Sequence, residues 1–301
     1  MALRPIENAL LPPTPDRSRP KKIPKIPSAT VTDENREGPQ CQSTTVDPVA
    51  TIDYVSAADL KPFTDPDAKI QALEEGLESK DWVRVCQSLN DVRVLAIYHS
   101  DLQTPSLEKV ISVLVKAMKN PRSALCKTSI MASSDVFSAY GDKLLQLDGE
   151  SDGFDQLVFQ LLLKSSQDKR FVCEEADKAL KSMVHAVSPP LLLKKLKTYI
   201  GHSNLRVRAK AAACISRCVS KMTLEELKDY GSASLLQMAA ELLNDRLPEA
   251  REAARSIVTT LYESFAKEHD KGEIQESWRS YCEANLPALH AQSIVKVTVA
   301  Q

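Results

Sequence analysis

The chain is expected to be all-α: a solenoid of about five to six helical hairpins behind a disordered N-terminal leader. Three observations lead there. Past residue 65 the apolar residues recur at intervals of three and four. Ala, Leu, Lys, Glu and Ser dominate that region, and the whole chain holds only 8 glycines and 5% aromatics, a composition for helices rather than sheets. A short polar turn with a basic residue then returns at Asp81, Asn120, Gln167, Asn204 and Asp245, separated by 39, 47, 37 and 41 residues. That interval is the period of a HEAT-type array, in which a hairpin buries its apolar face only by stacking on its neighbours.

Residues 1–64 carry most of the prolines among Ser, Thr, Asp and Glu, with no sustained apolar period, and are expected as the leader. Within it Arg17, Arg19, Lys21, Lys22 and Lys25 form a basic segment; six Lys/Arg between Met1 and Thr30 outnumber Glu7 and Asp16. Such a run suits an acidic partner, and equally a solvated linker or an import-like signal. Val49–Leu60 is less polar and is a candidate to fold back onto the domain.

The array is expected over 65–287. Asp65-Pro66, Thr104-Pro105 and Ser188-Pro189 each place a capping side chain before a proline whose missing N–H costs nothing at a helix start. Paired helices follow at 66–79 with 83–99, 105–119 with 122–140, 152–166 with 170–187, 189–201 with 205–221, and 232–243 with 247–267. A last helix covers 273–286, and 288–301 is expected as a tail. Ser79–Arg84, with Trp82 inside it, reads as the first turn. The second helix of each later pair carries one apolar stripe: Leu125, Ile130, Val136 and Phe137; Val172, Ala176, Leu180 and Val184; Val207, Ala211, Ile215 and Val219; Ala250, Ala254, Ile257 and Leu261.

The chemistry of the chain points away from catalysis. A formal net charge of −1 gives no electrostatic footprint for specific nucleic-acid binding. No phosphate-binding glycine loop, H-E-x-x-H or paired C-x-x-C occurs, and the five histidines are scattered. Cys214 and Cys218 lie four apart on one helix with no second pair to complete a metal site, which reads as small buried hydrophobes. Glu174, Glu175 and Asp177 read as a solvated helix face. No enzyme, cofactor or metal is expected. With seven cysteines mostly in helical patterns, no signal-like start and no run of about 18 apolar residues, the chain is expected to be reduced, cytoplasmic and neither secreted nor in a membrane.

What remains is a surface. In a solenoid the turns emerge on one edge, so Lys80, Trp82 and Arg84, then Lys119 and Arg122, Lys169 and Arg170, His202, Asn204 and Arg206, and Arg246 are expected to form one ridge. A mostly basic ridge with an aromatic anchor fits an acidic protein surface. Each part has a plainer reading. Asp81, Asn204 and Asp245 suit helix caps, Arg208 and Arg251 a ladder to the turn residues, Trp82 a staple on the first hairpin, and Trp278 beside Tyr281 the core.

Glu78-Ser79-Lys80-Asp81-Trp82 resembles the opening repeat of a TOG domain. Lys169 to Val184 (KRFVCEEADKALKSMV) resembles the third repeat of the crescerin/TOGARAM and CLASP group, and Asn204 to Ala212 (NLRVRAKAA) their fourth. Val85 and Cys173 depart from it, standing where the family often has basic side chains. The resemblance implies that the ridge binds αβ-tubulin or the microtubule lattice, Trp82 and the early turns against β-tubulin and the last turns against α-tubulin. It also implies a place on the microtubule cytoskeleton and an influence on microtubule dynamics or organisation. One such array is not expected to hold two tubulins for assembly. The alternative from the residues is a HEAT/armadillo scaffold that holds a peptide or regulatory protein without tubulin contact.

Overall fold

The computed structural model of the chain describes residues 54–147, 152–269 and 273–299; Arg17, Arg19, Lys21, Lys22 and Lys25 lie outside them. Among the described residues there is no strand, and the helices run in pairs joined by tight turns. The first pair is α1 (Pro66–Leu77) and α2 (Trp82–Tyr98), followed by the single turn α3 (Ser100–Gln103). Then come α4 (Leu107–Met118) with α5 (Ser123–Tyr140), the short α6 (Lys143–Gln146), and α7 (Gly153–Ser165) with α8 (Arg170–Ala186). The fourth pair is α9 (Pro189–Leu196) with α10 (Leu205–Lys221). After α11 (Leu224–Tyr230) the fifth pair is α12 (Ser232–Leu243) with α13 (Pro248–Ala266), and α14 (Ile274–Asn285) and α15 (Ala288–Val299) close the array.

Stacking follows the apolar stripes. α2 lies on α5, α5 on α8, and α10 on α13, while each first helix packs on its own partner. All sixteen stripe residues named from the sequence are buried. Small side chains set the spacing: Ala96, Ala132, Ala176, Ala179, Ala211, Ala212, Ala250 and Ala254 are each 3% exposed or less. Removing a methyl or adding one at such positions is felt directly, because the neighbouring helix is in contact.

Three expectations about element ends change. Trp82, Val83 and Arg84 belong to the first turn of α2, because the Asp81 carboxylate, on an extended backbone, accepts the Val83 N–H at 3.0 Å and starts the helix there. Thr104 does not cap α4: its backbone is helical at the end of α3, its hydroxyl turns back to the Ser100 carbonyl, and Thr104–Ser106 is a 3-10 turn. Ser188 precedes α9 as expected, but its N–H and hydroxyl are both taken by Asp142. That tie fastens the α5–α6 corner to the end of α8. Gly141 makes the corner possible: its φ is +47°, and a Cβ there would stand 2.6 Å from the Ala186 carbonyl oxygen.

The two ends of the array reach further than expected. Residues 54–64, placed with the leader, lie on α2 and α5: Leu60 is buried, its carbonyl accepts the Tyr98 hydroxyl at 2.9 Å, and the Lys127 ammonium sits 4.2 Å from the Tyr54 ring centre. Residues 288–299, placed in a tail, form α15, which buries Ala291 and Ile294 against α12, α13 and α14. No capping side chain announces that helix; packing holds it.

Polar side chains bridge two joints, buried at the first and partly exposed at the second. Arg93 of α2 is 2% exposed and donates to Asp135 of α5 at 2.7 Å, to the Val55 carbonyl at 2.7 Å and to Asn90 at 3.3 Å. Burial raises the Asp135 pKa and Arg93 draws it partly back. The second joint lies between the third and fourth pairs, where α8 and α10 touch less than other successive second helices. There Lys210 reaches Asp177 of α8 at 3.3 Å and Glu249 of α13 at 3.1 Å, and Lys221 donates to the Val184 and His185 carbonyls at the end of α8. Asp177 is therefore paired across the joint rather than solvated.

Replacing one partner of the Arg93–Asp135 pair strands the other away from water. Arg93→Met is expected to lower the unfolding free energy by about 3 kcal/mol. The double variant Arg93→Met/Asp135→Leu is expected to recover more than half of that loss, as read by urea denaturation of the three proteins.

Candidate functional site

Each turn between paired helices presents its residues at the start of a second helix, and neighbouring turns touch. Trp82, the first residue of α2, is half-buried on the core, and the Arg122 guanidinium of the next turn lies over its ring at 5.4 Å from the centre. Burial pushes the Cys126 thiol of α5 up, and the charges of Lys164 and Lys169 on the third hairpin pull it partly back. Arg206 bridges the fourth turn to the third, donating to Asp168 at 2.7 Å and to the Ser166 carbonyl at 3.1 Å. Arg208 bridges the fourth to the fifth, donating to Asp245 at 2.8 Å. The first turn is thus joined to the second, and the third to the fourth and fifth, by direct contacts.

The cap residues and the charged residues have separate tasks. The Asn204 side-chain oxygen accepts the Arg206 N–H at 3.0 Å and Asp245 accepts the Leu247 N–H at 2.8 Å, as Asp81 does in the first turn. Asn120 accepts the Arg122 N–H at 2.9 Å one residue ahead of its helix. Arg251 stays within its own hairpin, donating to the Asp245 and Arg246 carbonyls at 2.8 and 2.9 Å. These groups shape the turns and are spent in doing so.

The exposed cations divide into two groups. Arg84 pairs with Glu75 at 2.9 Å and Arg170 with Glu174 at 2.7 Å, the latter holding the Glu174 carboxyl below its usual range. Lys80, Lys119, Lys169 and Arg246 are exposed and have no ion-pair partner among the described residues. Pairs on an open surface are worth little, so a partner's carboxylate can displace Glu75 or Glu174 at small cost. The unpaired cations need no displacement. An apolar cleft of about 450 Å³ opens beside this end of the ridge, walled by Leu77, Lys80, Trp82, Val113, Lys116 and Asn120. Phe171, 44% exposed on the first turn of α8, is a second apolar side chain on the ridge that the sequence reading passed over. Its only signal was an aromatic residue directly after the basic pair.

Among the described residues no three His, Cys, Asp or Glu side chains cluster in a way that could hold a metal ion. Burial pushes the Cys214 and Cys218 thiols up to about 12, which keeps them protonated and inert. Asp245 is the ridge residue on which geometry depends most, since it accepts the Leu247 N–H just ahead of α13 and pairs with Arg208. Asp245→Ala is expected to cost about 2 kcal/mol of stability, and Asp245→Asn, which keeps the oxygen that accepts the Leu247 N–H, clearly less, measured by thermal unfolding.

No protein-family profile matches the chain. In sequence it is 29% identical over 247 residues to the mouse TOG array regulator of axonemal microtubules protein 1, a match that covers 79% of this chain and 14% of that protein. In structure it is similar to crescerin, described as using a TOG domain array to regulate microtubules in the primary cilium. That match has a TM-score of 0.55 and 16% identity, and covers 77% of this chain and 89% of the other. It is similar to the TOG domain of C. elegans Zyg9 with a TM-score of 0.55 and 15% identity, covering 76% and 80% of the two chains. No helix among the described residues is long and apolar enough to cross a membrane. The chain is thus a sequence relative of the TOG array regulators of axonemal microtubules, and its stacked hairpins have the TOG fold.

Proposed function

We propose that the array is a tubulin-binding module, which engages αβ-tubulin or the microtubule lattice through the turn ridge and so influences microtubule dynamics or organisation. The observation that carries this reading is the first end of the ridge. There Trp82 stands at the mouth of an apolar cleft with Lys80 in its wall, and unpaired Lys119 and Lys169 follow on the next two turns. An aromatic anchor supplies most of the affinity of such a contact, while unpaired cations steer an acidic partner and fix its register. The TOG fold and the sequence relationship support tubulin as that partner, and the cytoskeleton as the place of action. The role is binding, with Lys80, Trp82, Arg84, Arg122, Lys169, Arg170, Asn204, Arg206 and Arg246 as the contact ridge.

The basic leader adds a second, tethered contact in this proposal. Arg17, Arg19, Lys21, Lys22 and Lys25 suit the acidic tails that microtubules display, and a tethered contact raises avidity without changing the ridge.

The test is binding of the full chain to soluble αβ-tubulin and, by co-sedimentation, to stabilised microtubules. Trp82→Ala is expected to weaken binding at least tenfold. Lys80→Glu is expected to weaken it less, with an effect that shrinks as ionic strength rises. Both variants should keep the helical content of the parent; Lys80→Glu should also keep its melting temperature, while Trp82→Ala, which truncates a half-buried ring, should lower it without unfolding the array. Absence of binding by the folded parent to either form of tubulin would overturn the proposal and leave the scaffold reading. Deleting residues 1–30 should reduce lattice binding most at low salt and spare binding of soluble tubulin.

A further inference from the structure

In each of the five second helices one residue stands directly before the first buried position: Arg84, Ala124, Phe171, Arg206 and Glu249. Four of the five suit an open turn. Arg84 pairs with Glu75, Arg206 with Asp168 and Glu249 with Lys210, and Ala124 has only a methyl to show. The third hairpin puts an aromatic ring at this place, and Phe171 is left 44% exposed.

A single exposed apolar residue is ordinary on a protein surface. Phe171 differs in its place and in its neighbours. It occupies the register position where the other hairpins carry ionic or small side chains. Lys169 and Arg170 directly precede it; Lys169 has no ion-pair partner among the described residues, and the Arg170 side chain is 90% exposed. An aromatic ring bordered by exposed cations has the make-up of an interface anchor for an acidic protein surface, the ring losing water on contact while the charges steer and register it.

The frame places this ring in range of Trp82. α5 lies on both α2 and α8, and packed helices stand roughly 8–10 Å apart, so the first turns of α2 and α8 are about 20 Å apart. A standard contact patch of about 800 Å² per partner is roughly 30 Å across. Both rings therefore fit beneath one partner. We propose that Phe171 is a second apolar anchor of the ridge, seated in an apolar recess of the same acidic partner that Trp82 engages, and that two anchors on one packed frame set the orientation in which the partner is held. The inference rests on the ridge reading given above, with αβ-tubulin as the partner.

Binding of the full chain to soluble αβ-tubulin and to stabilised microtubules is compared with that of Phe171→Ala, Phe171→Leu and Phe171→Lys, each checked for parental helical content. Phe171→Ala is expected to weaken binding at least fivefold, by a factor that holds as salt rises because no charge is removed. Phe171→Leu, which keeps apolar bulk, should stay within about threefold of the parent. Phe171→Lys is the sharpest arm: a ridge working by charge alone would hold an acidic partner more tightly with one more cation, whereas an apolar recess rejects it, so weaker binding is expected. Parental affinity in Phe171→Ala, or tighter binding by Phe171→Lys, would overturn this inference and leave the ridge reading in place. A folded parent that binds neither form of tubulin would overturn both. Dimerisation of the parent that Phe171→Ala abolishes, followed by sedimentation velocity, would give the ring to a second copy of the chain and overturn the proposal as well.

Discussion

Every other feature of this protein depends on the need of each helical hairpin to bury its apolar face against the next one. A pair of helices joined by a short turn has one side covered by its own partner and another left bare, so the hairpins are stable only as a stack. Alanines at Ala132, Ala176, Ala211 and Ala254 let the second helices come into contact, and the larger Val, Ile and Leu around them fill the space between. Once second helices lie side by side, their first residues lie side by side too. The functional edge is therefore a consequence of core packing, with the turns carried into line by the same contacts that stabilise the array.

Stacking of this kind is sequential, and its weak points are the joints where apolar contact thins. The joint between α8 and α10 is bridged by polar groups instead: Lys210 between Asp177 and Glu249, Lys221 on the last carbonyls of α8, and Arg206 on Asp168. The Lys210 ammonium is half-buried, and although burial disfavours its charge, Glu249 and Asp177 outweigh that and raise its pKa. Ionic bridges fix register where smooth apolar surfaces would slide. They also tie the third, fourth and fifth turns into one piece, so the later half of the ridge is held by its own charges while the earlier half leaves Lys80, Lys119 and Lys169 unpaired.

That division gives the ridge an uneven character. Its first end combines a half-buried Trp82, a cleft and unpaired cations; its last end is largely committed to internal bonds, apart from Arg246. An edge built in this way presents a partner with an anchor at one end and a rigid, pre-shaped rim at the other. Preorganisation of that sort favours binding by sparing the partner the cost of ordering loops.

The residues alone set the class of fold, the hairpin period and the turns that carry the charged side chains, because apolar spacing, caps and prolines are local signals readable within a dozen residues. The sixteen stripe positions and the cap roles of Asp81 and Asn204 were legible for that reason, as was Asp245 as a ladder partner of Arg208. What depended on the folded chain were relations between residues some forty apart. Arg93 and Asp135, Ser188 and Asp142, and Lys210 and Glu249 lie on separate hairpins, and no local pattern marks one as the partner of the other. The helix at 288–299 was missed because tertiary burial holds it without a strong cap or long periodicity, whereas the low polarity of Val49–Leu60 had already marked the segment before α1 as a candidate to pack. The same holds for the indole of Trp278: the sequence marks it as core, and only the packing of the folded chain leaves its N–H buried without an acceptor.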